Sequence, residues 1–326
     1  MRIDAHVHLI GVAESNGGFL SSAYRRSLVS RFLRWRLGLG RFADDADADR
    51  FYLESLAGWV RSSTHVDRAV LLALDGRYDR RGRLDRETTS IVVGNDYLFA
   101  AVERYPDLFL AAPSVNPYRA DALDELDRVK ARGAVLIKWL PPSQAFDPAD
   151  PRCAPFYRKL VDLGLPLLTH TGHEHTIPVV DQALGHPLRL VPALEAGVTV
   201  IAAHCGMSGI IHRAGEDHFP AFIEVARRHA NLHGDISALG SAIRVAYPPR
   251  LLALADLRER LIYGSDVPVP CNPIVFAPHV GARPALALAR EPNPIERHAA
   301  LCRALGFGAD VFGRAAQVLK LQPVAA

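Results

Sequence analysis

Eight short apolar, largely β-branched runs, each followed by a longer stretch of helical period, constrain what this 326-residue chain can become. They span 2–8, 66–74, 108–115, 134–140, 166–170, 198–204, 231–236 and 261–266. Several are apolar throughout rather than alternating, the pattern of parallel strands buried on both faces. Helices are predicted over 50–62, 90–104, 120–132, 155–163, 187–196, 220–230, 248–258, 295–305 and 309–320. Pro187, Pro220 and Pro248 suit a first helical turn, and Gly133, Gly164 and Gly197 suit a left-handed C-terminal cap. Eight strands each followed by a helix is the count of a (β/α)8 TIM barrel, although an open doubly wound sheet alternates in the same way. No Gly-, Ser- or Pro-rich linker divides the chain, so one domain over 1–326 is expected.

Composition narrows the class. Forty-nine per cent apolar and 22% charged residues are ordinary for a soluble globular protein and exclude disordered, collagen-like and coiled-coil chains. Thirty-eight Lys and Arg against 35 Asp and Glu leave a formal charge of +3, too balanced for a nucleic-acid binder. Cys153, Cys205, Cys271 and Cys302 lie far apart with no C-x-x-C pair, and read as reduced thiols. No run reaches the ~20 apolar residues of a membrane span, and the N-terminus lacks an apolar signal region. A soluble, cytoplasmic protein with neither membrane nor nucleic-acid partner is expected.

One segment, 24–42, breaks the pattern. Arg25, Arg26, Arg31, Arg34, Arg36 and Arg41 surround Leu28, Phe32, Trp35 and Leu39, which are spaced as one helical face. Asp44, Asp45, Asp47 and Asp49 follow immediately. The favoured reading is an Arg-rich helical insertion after strand 1, its apolar stripe packed on the barrel and its charge partly neutralised by the aspartates. An active-site lid that recruits anionic substrates and a subunit contact are the sharper alternatives.

The chemistry sits at strand ends. His6 and His8 are two apart on a strand, so both imidazoles share one face and can converge on one ion. Lys138, His170, His204 and Asp266 each follow an apolar run. In a barrel these ends surround one mouth, where active sites lie. Ionisable groups there are costly unless paired or bound to something, which makes the set a functional signal rather than a packing one.

The segments Asp4-Ala5-His6-Val7-His8, His170-Thr171-Gly172, Ala203-His204-Cys205-Gly206 and Gly264-Ser265-Asp266 resemble the markers of the amidohydrolase superfamily. More narrowly, the chain resembles the amidohydrolase-related branch, which contains lactone hydrolases and aromatic-acid decarboxylases. The resemblance runs from residue 1 to about Val267, with Gly94-Asn95-Asp96 and Tyr105-Pro106-Asp107 adding to it. It implies a (β/α)8 barrel with one or two divalent ions at the mouth. His6, His8, His170 and Asp266 match the ligands of the one-metal sites, which leave His204 as an acid/base or electrostatic partner. Two-metal members instead bridge their ions with a carbamylated Lys, which would be Lys138, and use His170 and His204 on the second ion. One ion is favoured, the two-ion reading stays open, and Lys138 then binds a substrate anion.

The mixed N/O donor set suits Zn2+ first, and also Mn2+, Fe2+ or Co2+. Asp266 is the natural base for a metal-activated water, and His204 would hold or protonate an oxyanion. Asp4 either orients a ligand histidine or ties strand ends together. Trp139 and His173 are the weaker substrate-contact candidates. Glu174 and His175 sit beside His173 in the same loop; Arg244 and Arg283 are possible carboxylate binders, but a surface or packing role is preferred for them as for Asn116, Tyr118, Arg119 and Asp235. Neither Gly-x-Ser-x-Gly nor a Walker A loop is present. The expected function is metal-dependent hydrolysis of a small lactone, amide or ester. The alternative is nonoxidative decarboxylation of an aromatic or unsaturated acid. The partner is a small molecule, anionic if the Arg segment is a lid, and a homodimer is the common assembly for such enzymes.

Overall fold

In a computed structural model that describes residues 1–210 and 216–321, all eight predicted runs contain strands. They are β1 (Ile3–His8), β2 (Arg68–Leu72), β3 (Phe109–Ala112), β4 (Ile137–Trp139), β5 (Leu167–His170), β6 (Val200–Ala203), β7 (Leu232–Asp235) and β8 (Leu261–Ile262). Pairing is parallel in two arcs, β1–β2–β3 and β4–β5–β6–β7–β8. Parallel bridges between Ser114 and Lys138 and between Val7 and Val267 join the arcs at both seams. Backbone bonds from Val135 to Ala111 (2.9 Å) and from Ala5 to Tyr263 (3.0 Å) extend them, closing the sheet into a barrel and leaving no open edge.

The barrel interior is layered. Val70, Leu72, Leu110, Leu136, Leu168 and Ile201 fill the lower part, and Ala315 and Leu319 of the C-terminal helix (Val311–Val318 and the residue after it) plug it from below. One inward step up each strand the residue type changes: Lys138 follows Leu136 and His170 follows Leu168. On β1 the alternation needs an extra residue. Ile3 and Ala5 belong to the inner core, so strict period 2 would send His6 and His8 outward. The pairing slips instead: Asp4 faces Ala69 while Val7 faces Leu71, three steps of β1 against two of β2. This bulge returns His6 and His8 to the inside.

Trp139 has the opposite parity from Lys138. Its indole lies outside the barrel against Phe146, Phe156 and Tyr157 (centroids 4.7, 5.0 and 5.8 Å), and its Nε1–H donates to Val115 O at 2.7 Å. It is therefore core, not substrate wall, correcting the expectation from sequence.

The helical layer follows the prediction in outline; a short helix, Pro141–Gln144, is added, 248–258 splits into Tyr247–Leu252 and a 3-10 turn over Ala255–Arg260, and three larger differences stand out. Residues 91–92 form a short strand, antiparallel to Phe19–Leu20, before the helix Asn95–Arg104 begins, since Ile91-Val92-Val93 is β-branched. Helices Ala277–Val280 and Ala282–Ala289 were not foreseen. The third difference is the segment after β1. It forms α1 (Ser22–Arg26) and α2 (Leu28–Arg36), separated by Ser27, whose hydroxyl caps α2 by accepting from Ser30 N–H. The turn at Gly38, with φ +70°, then detaches Leu39. The four residues of the expected stripe consequently part company: Leu39 is 2% exposed, but Leu28, Phe32 and Trp35 are 81%, 48% and 74% exposed. The stripe does not pack on the barrel, and Leu33 and Leu37 line the cavity below α2 instead. The charge neutralisation holds, because Asp45 at the start of α3 (Asp45–Ser62) pairs with Arg25 (2.5 Å) and Arg34 (3.5 Å).

Gly133, Gly164 and Gly197 end helices at φ +90°, +61° and +92°, as expected. The four cysteines are free and buried. No described helix is long and apolar enough to cross a membrane. The packing of Trp139 predicts that Trp139→Ala lowers stability by about 3–5 kcal/mol in a denaturant titration, the loss usual for a large aromatic core truncation.

Candidate functional site

At the top of the interior, His6 Nε2, His8 Nε2 and Asp266 Oδ1 form a triangle with sides of 3.3, 3.2 and 3.1 Å. Among the described residues they are the one group of His, Cys, Asp and Glu donors drawn close enough to share an ion. His6 Nδ1 lies 2.8 Å from Asp235 Oδ2 and donates its proton there, so Nε2 carries a lone pair. Asp266 Oδ1 is buried with no hydrogen-bond donor. Ligand atoms about 2.0–2.1 Å from a common ion stand a little over 3 Å apart, so a divalent cation fits the spacing and satisfies the orphaned oxygen.

Backbone strain marks the same residues. Asp266 (φ +65°) and His204 (φ +62°) both occupy the left-handed region, which costs a non-glycine residue of order 1–3 kcal/mol. Asp266 is held there by its N–H donating to His6 O (2.8 Å), and His204 by its N–H donating to Asp235 Oδ1 (2.7 Å).

Asp235 supports both sides of the site. Besides His6 Nδ1–H and His204 N–H, it accepts from the Ser237 backbone N–H (3.1 Å) and hydroxyl. Burial opposes its ionisation, but His6 and these bonds together hold the carboxyl below its ordinary value. Ser237 in turn sets the tautomer of His204. The carbonyl of Ser237, an acceptor only, lies 3.2 Å from His204 Nδ1, and its hydroxyl lies 2.7 Å from the same atom. Nδ1 is thereby the protonated nitrogen and Nε2 the basic one. Asp235 was read from sequence as packing. The structure corrects this, and the signal available was its place at the end of β7, level with the other strand-end groups.

His170 is buried beside His204, with ring centroids 4.9 Å apart. Its Nδ1 lies 3.4 Å from Glu174 Oε2, and its Nε2 is buried without a partner. Burial, then the charges of Lys138 and Arg244, push its imidazole well below the ordinary value. Burial and Arg244 do the same to His204, and burial and Lys138 lower His6. Burial thus favours the neutral imidazole at all three, the form that coordinates metals. Lys138 is fully enclosed with Nζ 3.1 Å from His6 Nε2, and burial brings its pKa down to about 8. Asp4 takes the humbler of its two expected roles: Oδ1 accepts from the backbone N–H groups of His6 (3.1 Å) and Ser265 (2.9 Å), tying β1 to β8.

The remaining candidates separate. His173 does not line the cavity; it joins a second histidine group, 5.1 Å from His218, which lies 4.6 Å from His186. Asn116 holds the loops of Gly76 and Gln144, Tyr118 donates to Asp150, and Arg119 pairs with Asp121 and Asp75. Arg283 is exposed on helix Ala282–Ala289. Arg244 differs from these. It is buried, its Nε has no partner, and no carboxylate among the described residues pairs with it. A cavity opens above the cluster, with His8, Lys138, His170, His204 and Asp266 at its base and Leu33, Arg34 and Leu37 of α2 above.

A profile of the amidohydrolase family, in its second branch, matches residues 3–317. The chain belongs to that family. No curated protein matches this amidohydrolase. Solved structures match its fold. An uncharacterised TIM-barrel protein of Bordetella bronchiseptica is 18% identical, with TM-score 0.61 and 98% of each chain covered. A probable 2-pyrone-4,6-dicarboxylic acid hydrolase of Acinetobacter baumannii, with citric acid bound, is 15% identical, with TM-score 0.56 and coverage of 98% of this chain and 99% of that one. A 5-carboxyvanillate decarboxylase of Novosphingobium aromaticivorans with bound manganese is 14% identical, with TM-score 0.54, covering 98% and 97%. These structural neighbours thus include a probable hydrolase and a decarboxylase, the latter with manganese bound.

The position of Asp235 behind His6 predicts that Asp235→Asn weakens metal binding by about 10–100-fold in a chelator competition while the circular dichroism spectrum is kept.

Proposed function

We propose that this amidohydrolase is a metal-dependent hydrolase of a small carbonyl compound: a lactone, ester or amide. Asp266 carries the reading. Its carboxylate is buried, faces two imidazole nitrogens at 3.1–3.2 Å, and lines the cavity that a substrate would fill. Burial opposes its charge, yet His6, His204 and His8 hold it ionised, well below the ordinary carboxylate value.

His6, His8 and Asp266 would hold one divalent ion, and His170, outside their close group, would add a fourth ligand through a buried Nε2 that nothing else engages. When bound, such an ion lowers the pKa of a coordinated water to about 7 and polarises a carbonyl. The chain's own groups supply the rest. Asp266 accepts the proton of the attacking water. His204, with Nδ1–H committed to Ser237, offers Nε2 to take that same proton on from Asp266 and delivers it to the leaving atom as the carbon–heteroatom bond breaks. This refines the role expected from sequence, since His204 starts as a base rather than as an acid. The Lys138 ammonium faces the developing oxyanion. Zn2+ is the first choice for this donor set, and Mn2+ the second in view of the manganese-bound decarboxylase. We place the protein in the cytoplasm, where its four free thiols stay reduced.

Decarboxylation is the second reading. It is favoured by Arg244, a buried guanidinium without a carboxylate partner that is near enough to depress His170 and His204. Such a group suits the carboxylate of an acid substrate.

The test is metal per chain in protein purified without chelator, followed by turnover of simple lactones with carbon dioxide release monitored. Near one equivalent and lactone opening without carbon dioxide are expected. His6→Ala and Asp266→Ala should lose the metal and at least about 10²-fold in rate, whereas Lys138→Ala keeps the metal and loses rate. Carbon dioxide release would transfer the site to the decarboxylases. Full activity in Asp266→Ala would remove the base assigned here.

A further inference from the structure

Above the polar cluster the cavity changes character. Ile10, Val12, Leu20, Leu74, Val93 and Leu140 form walls of branched aliphatic side chains, and Leu33 and Leu37 of α2 lie over them. Apart from the hydroxyls of Ser30 and Thr176, the polar groups on these walls are already engaged. Arg34 faces Asp45 at 3.5 Å, Tyr24 OH donates to Thr176 O at 3.0 Å, and Glu174 Oε1 accepts from the backbone N–H groups of Thr176 and Ile177. A second carboxylate on a substrate would meet no unpaired cation on the upper wall. A flat aromatic ring would meet Tyr24 alone for stacking.

The apolar surface also continues outward. Leu33, Thr176 and Val269 line the cavity and, on their other side, an open groove formed with Leu28, Val29, Phe32 and Pro270. Leu28 and Phe32 are the residues that left the expected packing stripe, so α2 presents aliphatic side chains both to the cavity and to solvent. An apolar patch rimmed by polar residues marks a place where something apolar binds.

We infer that the substrate carries an unbranched aliphatic chain, which runs from the His6–His8–Asp266 cluster along the apolar walls and past Leu33 and Val269 into the outer groove. This rests on the hydrolase reading for what happens at the reacting end, and on the cavity alone for the chain. The reacting carbonyl sits over Lys138 and His204, and the methylenes take the place of water against Leu37, Val93 and Leu140. Recognition is by removal of apolar surface from water, so specificity is graded by length rather than by a polar contact at the far end.

Calorimetry tests this on the metal-containing protein, with straight-chain alkanoates from butanoate to decanoate and with phthalate and citrate as comparators. Kd is expected to fall about three- to fourfold per added methylene, the value for burying a CH2 group, up to the length at which the chain leaves the groove. Leu37→Asp and, independently, Leu33→Asp should weaken decanoate at least tenfold and leave butanoate unchanged. Leu286→Asp, on an exposed helix face, should alter neither. Circular dichroism verifies that each variant is folded. Equal affinities along the series, phthalate or citrate binding more tightly than decanoate, or wild-type decanoate affinity in both cavity variants would overturn the proposal. Because binding is read without turnover, failure of the hydrolase reading leaves the length series intact. A flat series with lactone hydrolysis preserved would discard the chain and keep the hydrolase.

Discussion

One carboxylate, Asp235, ties the two sides of the site together. Its two oxygens accept from opposite directions, Oδ2 from the His6 ring and Oδ1 from the His204 backbone and Ser237. The first bond turns the lone pair of His6 toward His8 and Asp266. The second pins a strained backbone whose histidine takes its tautomer from Ser237. A buried charge is tolerated only when its lone pairs are filled, and here two of the partners that fill them, His6 and His204, belong to the site itself. Support and function are therefore not separable at this position. A neutral isostere would keep the packing and lose the orientation on both sides of the cavity.

How legible this was in the chain depends on whether the information was local. The strands were readable because continuous apolar runs need burial on both faces, and Lys138, His170, His204 and Asp266 stood out because ionisable groups at the ends of such runs are expensive. Residues on opposite sides of the barrel left no such trace. Asp235 and His6 are far apart in sequence, and their bond exists only once the sheet closes between Val7 and Val267. Arg244 and Arg283 were equal candidates for a carboxylate in the sequence, and only folding, which buries the first and exposes the second, separates them.

Two misreadings have a common origin in face assignment. Trp139 lies next to Lys138, and adjacency in a strand means opposite faces, so one enters the cavity and the other the aromatic layer. Leu28, Phe32, Trp35 and Leu39 fit one helical face only if a single helix runs through them, and the Ser27 cap and Gly38 turn break it. In β1 the pairing of His6 with His8 was readable as i and i+2. The bulge that aims both inward was not, because it is a property of register with β2 rather than of composition.

The lower barrel is sealed by Leu72, Leu110, Leu136 and the plug of Ala315 and Leu319. The cavity thus has no outlet through the lower barrel, and whatever enters it leaves from the upper side, where α2 lies. Substrate and product therefore share the same end of the barrel. Every turnover includes a passage past Leu33 and Leu37, and their grip on the departing molecule becomes part of the rate at which the next can arrive.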